Sequence, residues 1–194
     1  RLGDFLGGAY DARIRRNPDR IQVQMTRDGN VADMPVKITK GVTLAEGSST
    51  LEIAYLLENL PLERDFHFAV EFNFAGLPSG ADDRYFLDAE RHRLGQLGSR
   101  LDLAAATGLS LVDEWLGIDV GLTASCPTSF WTFPVETVSQ SEGGFELVHQ
   151  SVVVMPHWLV RADDQGRWSV SMRLALDTSR AESRAEPTAA EVVS

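Results

Sequence analysis

The 194-residue chain has one cysteine, Cys126. No disulfide can form within it, which fits a reducing compartment and sets a cytoplasmic location as the expectation. Beside Pro127, a lone thiol reads as a half-buried packing group rather than a nucleophile. Long apolar runs are missing too. No stretch approaches the roughly 20 residues of a membrane-spanning helix. Arg1 to Tyr10 lacks an initiator Met and the apolar segment of a signal peptide, so the chain reads as a fragment of something longer. Positive charge is scarce: 28 acidic residues against 18 Lys and Arg leave a net charge of −10. That balance argues against nucleic acid and against an anionic membrane as partner, since both call for a basic patch.

Familiar chemical signatures are also absent. There is no phosphate-binding P-loop, no dinucleotide fingerprint and no G-x-S-x-G elbow. The four histidines, His67, His92, His149 and His157, lack close metal-ligand spacing. Asp82, Asp83 and Asp88 do not follow a calcium-loop pattern, and a solvated acidic loop is the expectation there. No metal and no cofactor are expected.

What the chain has is alternation. In "DFHFAVEFNFA", Phe66, Phe68, Val70, Phe72 and Phe74 fall on one side and His67, Ala69, Glu71 and Asn73 on the other. Period two predicts a strand with one buried face. "RWSVSMRLALD" repeats the pattern through Trp168, Val170, Met172, Leu174 and Leu176, and "STLEIAYLLEN" through Leu51, Ile53, Tyr55 and Leu57. "RIQVQMTRDG" and "MPVKITKGVTL" are further strand candidates. Turns are expected at Asp28-Gly29-Asn30, Glu46-Gly47-Ser48, Leu77 to Gly80, Gly143-Gly144 and Asp163 to Gly166. Around Leu109, Val112 and Leu116 a short helix competes with strands, and Gly117 and Gly121 favour strands. The expected fold is an all-β antiparallel sandwich over residues 1–178, followed by a flexible tail over 179–194.

The run from Glu136 to Trp158 concentrates acid-base groups. With Gly143-Gly144 as a two-residue turn, Glu142 faces Phe145, Gln140 faces Leu147, and Val138 faces His149. Glu136, Val138 and Gln140 then share one face with Phe145, Leu147 and His149, and its Glu/His/Gln cluster is suited to sugar hydroxyls. Trp158 adds a stacking ring, and His67 and Glu71 are weaker choices from another strand. A partly solvated edge hairpin would carry the same residues. Trp131 and Phe133 could stack on sugar rings as well, and for all three aromatics core or rim packing is the commoner fate.

"FHFAVEFNFAG", "DDRYFLD", "LVDEWLGIDV" and "FWTFPVETVSQSEGGFELVHQSVVVMPHW" resemble the C-terminal region of bacterial family-57 glycoside hydrolases, the α-amylase and 4-α-glucanotransferase group. The likeness runs from about Gly3 to Asp177. It implies a galactose-mutarotase-like sandwich that follows a catalytic (β/α)-barrel. It matches none of the barrel, so no catalytic residue carries over. The function it implies is a non-catalytic domain that binds an α-glucan or oligosaccharide, or supports the catalytic barrel of the same parent chain. Two rivals are an aldose 1-epimerase using Glu136 and His149, and a purely bracing domain.

Overall fold

The computed structural model describes residues 3–141 and 144–185. The strands are β1 (Asp11–Asn17), β2 (Arg20–Val31), β3 (Met34–Ala45), β4 (Thr50–Glu58), β5 (Phe66–Ala69) and β6 (Phe72–Phe74). They continue with β7 (Arg84–Asp88), β8 (Arg93–Gln96), β9 (Leu101–Asp113), β10 (Ile118–Ser141), β11 (Gly144–Val160) and β12 (Trp168–Asp177). One helix, α1 (Ser179–Ala185), follows. Strand pairing is antiparallel from β1 through β4 to β12, between β11 and both β5 and β6, and between β7 and both β8 and β9. The segment around Leu109 and Val112 is strand, because Gly117 closes a tight turn with φ of 70° instead of continuing a helix.

The described residues form two compact units. The first takes the described residues of Arg1–Ala69, Leu122–Pro127 and His157–Ala175. The second takes those of Val70–Gly121, Thr128–Pro156 and Leu176–Ser194.

In the first unit the sheet runs β1-β2-β3-β4-β12, with part of β10 beyond β12 and β5 on β11. The alternation in "STLEIAYLLEN" works as expected: Ile53, Tyr55 and Leu57 are buried, and Val170 and Met172 join them from β12. Each such side chain contributes about 1.5–3 kcal/mol by leaving water. Leu176, the last residue of the β12 pattern, is exposed. β1 is an edge strand exposed along its whole length. Arg13, Arg15 and Arg16 on it oppose edge-to-edge pairing with another chain.

The expected turn at Asp28-Gly29-Asn30 lies inside β2 instead. The hairpin closes at Ala32 and Asp33, both with positive φ, because Val31 pairs with Met34. Gly29 serves a different purpose. A Cβ there would come within 2.4 Å of Asp4 Oδ1 and 2.8 Å of the Phe5 ring, so the glycine admits the N-terminal segment. Turns do form at Glu46-Gly47-Ser48 and at Asp163 to Gly166, with Gly47 and Gly166 left-handed.

In the second unit β8, β7, β9 and β10 are neighbours in that order, and β11 pairs β10 and β6. Its core holds Phe86, Leu97, Leu109, Leu111, Phe130 and Val153, each essentially inaccessible. The phenylalanine strand read from "DFHFAVEFNFA" is split into β5 and β6, each on β11. The break falls at Val70, whose N–H donates to the carbonyl of Pro156 at 3.0 Å. Pro156 has no N–H to return, so the ladder loses a bond there. The first seven residues of the expected flexible tail form α1. Thr178 and Glu182 bond at its start, and the Ala181 N–H donates to the Gly117 carbonyl at 3.2 Å.

Candidate functional site

The hairpin of β10 and β11 emerges from the second unit. Gln150 Nε2 donates to Thr137 Oγ1 at 3.0 Å, so these two share a face. Strand alternation then places Glu136, Val138 and Gln140 on the other face of β10 and Phe145, Leu147 and His149 on the other face of β11. This agrees with the grouping read from the sequence. The turn residues Glu142 and Gly143 lie outside the described residues.

The apolar members of this face are open to solvent. Val138, Phe145 and Leu147 are 68%, 78% and 68% exposed. Glu136 and Gln140 are exposed among them. His149 is half-buried at the base, where its Nε2–H donates to the Leu77 carbonyl at 3.0 Å, and its Nδ1 has no hydrogen-bond partner among the described residues. A histidine held by a backbone carbonyl from a distant loop is a structural group first.

The other nominated residues lie apart from the hairpin face. Trp158 is only 6% exposed and cannot stack on a sugar ring. It belongs to an aromatic cluster in the first unit, with the Phe68 ring stacked at 6.0 Å and the Trp168 ring tilted at 5.5 Å. Tyr55 meets Phe68 edge-on at 5.4 Å, and burial pushes the Tyr55 phenol above its ordinary pKa. Sequence alternation marked these rings as inward-facing but not Trp158, which sits in a continuous apolar run. His67 is exposed on β5 and its Nε2 lies 2.9 Å from His157 Nδ1, the rings nearly perpendicular. Glu71 is exposed and accepts a hydrogen bond from Asn73 at 2.8 Å.

Asp82, Asp83 and Asp88 have protein partners where a solvated loop was expected. Asp82 accepts from Gln96 at 2.6 Å, Asp83 pairs with Arg84 at 3.0 Å, and Asp88 pairs with His92 at 3.1 Å. Desolvation pushes the Asp88 carboxyl up, but hydrogen bonds from the His92 backbone and ring outweigh it and hold the pKa below the usual range. One ligand atom each from Asp88, Glu90 and His92 lies within 4.8 Å of the others, so this loop could take a cation. Glu90 and His92 are exposed, and exposed acidic groups of this kind are common without one. Trp131 donates from Nε1 to Asp102 at 3.1 Å. The reading missed Trp115, which is 73% exposed in the turn between β9 and β10. The thiol of Cys126 is half-buried, as expected, and burial raises its pKa against a hydrogen bond with Trp158. No helix among the described residues is long and apolar enough to cross a membrane.

A sequence model of the family described as "Alpha-amylase/4-alpha-glucanotransferase, C-terminal" matches residues 1–172. The chain belongs to this family. Alpha-amylase 1 of Dictyoglomus thermophilum is 24% identical over 172 residues, covering 84% of this chain and 23% of that protein. The 4-alpha-glucanotransferase of Thermococcus kodakarensis is 28% identical over 152 residues, covering 78% of this chain and 19% of that protein. This alpha-amylase/4-alpha-glucanotransferase C-terminal domain thus spans about a fifth of the length of the relatives it matches. The crystal structure of 4-alpha-glucanotransferase from Thermococcus litoralis superposes with a TM-score of 0.62 at 21% identity, over 90% of this chain and 23% of that one. An Escherichia coli K12 protein, provisionally assigned as an aldose 1-epimerase, gives 0.58 at 11% identity, over 88% of this chain and 69% of that one. Likeness at these identities shows the fold, an antiparallel galactose-mutarotase-like β-sandwich.

Proposed function

We propose that this chain is the non-catalytic accessory part of an α-glucan-processing enzyme, a family-57 type, and that the β10–β11 hairpin seats it against the catalytic domain of that enzyme. Family membership supports the parent activity, because the relatives are an alpha-amylase and 4-alpha-glucanotransferases. The observation that carries the docking role is the exposed apolar face of Val138, Phe145 and Leu147. A two-stranded ribbon is marginal in water by itself, and three large apolar side chains on one of its faces call for a cover. Glu136 and Gln140 would rim that contact with polar groups, the usual anatomy of an interface. An aldose 1-epimerase would need Glu136 and His149 poised on one sugar, and the Leu77 carbonyl already occupies a ring nitrogen of His149.

The test is the double substitution Phe145→Asp, Leu147→Ser in the full-length enzyme that carries this domain. The temperature at which glucan-processing activity is lost should fall by about 2 °C or more, the effect of roughly 1 kcal/mol on a unit of about 200 residues. The isolated 194-residue chain should keep its own unfolding temperature, since both positions are exposed within it. Unchanged heat inactivation of the full-length variant would end the proposal.

A further inference from the structure

We propose that the polar face of the β1-β2-β3-β4-β12 sheet is a binding groove for a neutral, hydroxyl-rich chain. Strand register places three rows of side chains across it. The central row is Arg13, Gln24, Gly41, Ala54 and Ser171. One flanking row is Arg15, Gln22, Thr43, Glu52 and Arg173. The other passes through Thr26, Thr39, Leu56 and Ser169. The middle of the central row is therefore bare. Gly41, Ala54 and Ser171 make a floor about 10 Å long, given the spacing of adjacent strands. Longer side chains rise on both sides, and the groove they enclose has a volume of about 510 Å³. That is within the range of small-molecule sites, about 300–1,000 Å³.

A polar outer face is ordinary for an antiparallel sheet, so polarity by itself carries nothing. Gly41 is the informative residue. Glycine in mid-strand weakens a sheet and needs a reason, such as a bulge or a close approach by another molecule. Gly41 has no left-handed φ, and a Cβ built on it meets nothing within 4 Å. It sits in regular register, with Gln24 and Ala54 as its partners. Nothing among the described residues requires a glycine here, and a ligand lying flat on the sheet accounts for it.

The walls define the ligand. Gln22, Gln24, Thr39, Thr43, Ser169 and Ser171 both donate and accept hydrogen bonds, as each sugar hydroxyl does. Arg13 and Arg15 on the rim offer planar donor forks that suit vicinal hydroxyls. Glu52 on the flanking row lies opposite Arg173 and offsets its charge. A saccharide chain crossing the strands fits this set, and its identity as an α-glucan rests on the parent activity proposed above. This groove is in the first unit, whereas the hairpin is in the second.

The experiment is calorimetric titration of the full 194-residue chain with maltohexaose and, separately, cellohexaose. Maltohexaose should bind saturably. Gly41→Phe, which fills open space, should weaken it by at least about tenfold while leaving the unfolding temperature unchanged or higher. Arg13→Ala/Arg15→Ala, on an exposed edge strand, should weaken it as well. Binding of neither sugar overturns the proposal, as does binding that both variants retain. Binding of cellohexaose alone, lost in Gly41→Phe, would uphold a saccharide groove and overturn the α-glucan identity. The docking test on Phe145 and Leu147 is read independently of all these outcomes.

Discussion

Arg84 on β7 donates from Nε to Oδ2 of Asp113 on β9 at 2.9 Å, and Asp113 is fully buried. The other carboxylate oxygen accepts the backbone N–H of Leu116 at 2.9 Å, so one side chain pins two strands and the turn that follows. Without Asp113, Arg84 keeps Asp83 at 3.0 Å and the Leu116 N–H loses its acceptor. Asp113→Ala should therefore cost about 1–3 kcal/mol, read as a lower urea midpoint with an unchanged slope. A loss below about 1 kcal/mol would show that the pair is dispensable.

Trp158 packs among Phe68 and Trp168. Trp158→Ala should destabilise the chain by about 3–5 kcal/mol, because it removes a large buried ring and leaves a cavity. In denaturant titration a loss of this size separates a core residue from a surface sugar platform, whose truncation would leave stability nearly untouched.

The raised pKa of Cys126 is open to a direct chemical test. Burial disfavours the thiolate, and the hydrogen bond with Trp158 only partly offsets that. Alkylation by iodoacetamide, followed against pH, should show a midpoint higher in the folded chain than in the same chain in urea. Cys126 is the sole cysteine, so one rate reports one site. Coincident midpoints would contradict the assignment.

Gly117 combines φ of 70° with a close neighbour: a Cβ would come within 2.7 Å of the Ala181 nitrogen in α1. Gly117→Ala should cost about 1 kcal/mol or more from backbone strain and displace the helix as well. Faster hydrogen exchange at Ala181, with β9 unaffected, is the expected signature. Protection equal to the parent chain at Ala181 would refute it.

Helix α1 should also respond to acid. The backbone N–H of Ser179 holds the Asp177 carboxyl below its usual pKa. A depressed carboxylate stabilises the folded form above the unfolded pKa of about 3.9 and loses that effect as pH falls through the folded value. Protection of the Ser179 amide, corrected for the intrinsic exchange rate at each pH, should therefore fall below about pH 4, and Asp177→Asn should flatten that response. A protection factor that does not change with pH in the parent chain would exclude the role.

The inward faces of β4 and β12 were legible because alternation over eight or more residues leaves one solution: Ile53, Tyr55, Leu57, Val170 and Met172 are where the pattern put them. The shared face of Glu136, Gln140 and His149 was legible from a turn and a register count. The exposure of that face was not, since exposure depends on what lies beside a hairpin, and Val138, Phe145 and Leu147 look like core residues on paper. The turn at Ala32-Asp33 was hidden because Asp28-Gly29-Asn30 carries the stronger local signal. That glycine answers to Asp4 and Phe5 instead, residues far away in sequence. The groove over Gly41 was invisible for the same reason. Its rows combine strands β1 and β12, more than 150 residues apart, and no local window contains both.

The first unit is assembled from three separated stretches of chain, and its strand β4 is completed by β12. During synthesis β4 leaves the ribosome roughly a hundred residues before β12, a wait on the order of ten seconds at about 5–20 residues per second. Through that interval the β1–β4 meander stands with its β4 edge unpaired, and Ile53, Tyr55 and Leu57 lack their final neighbours. The arginine-rich outer margin of β1 protects only the opposite side. The nascent domain is thus most open to mispairing while the stretch between β4 and β12 is being made, and a chaperone that shields the β4 edge in that interval should raise yield.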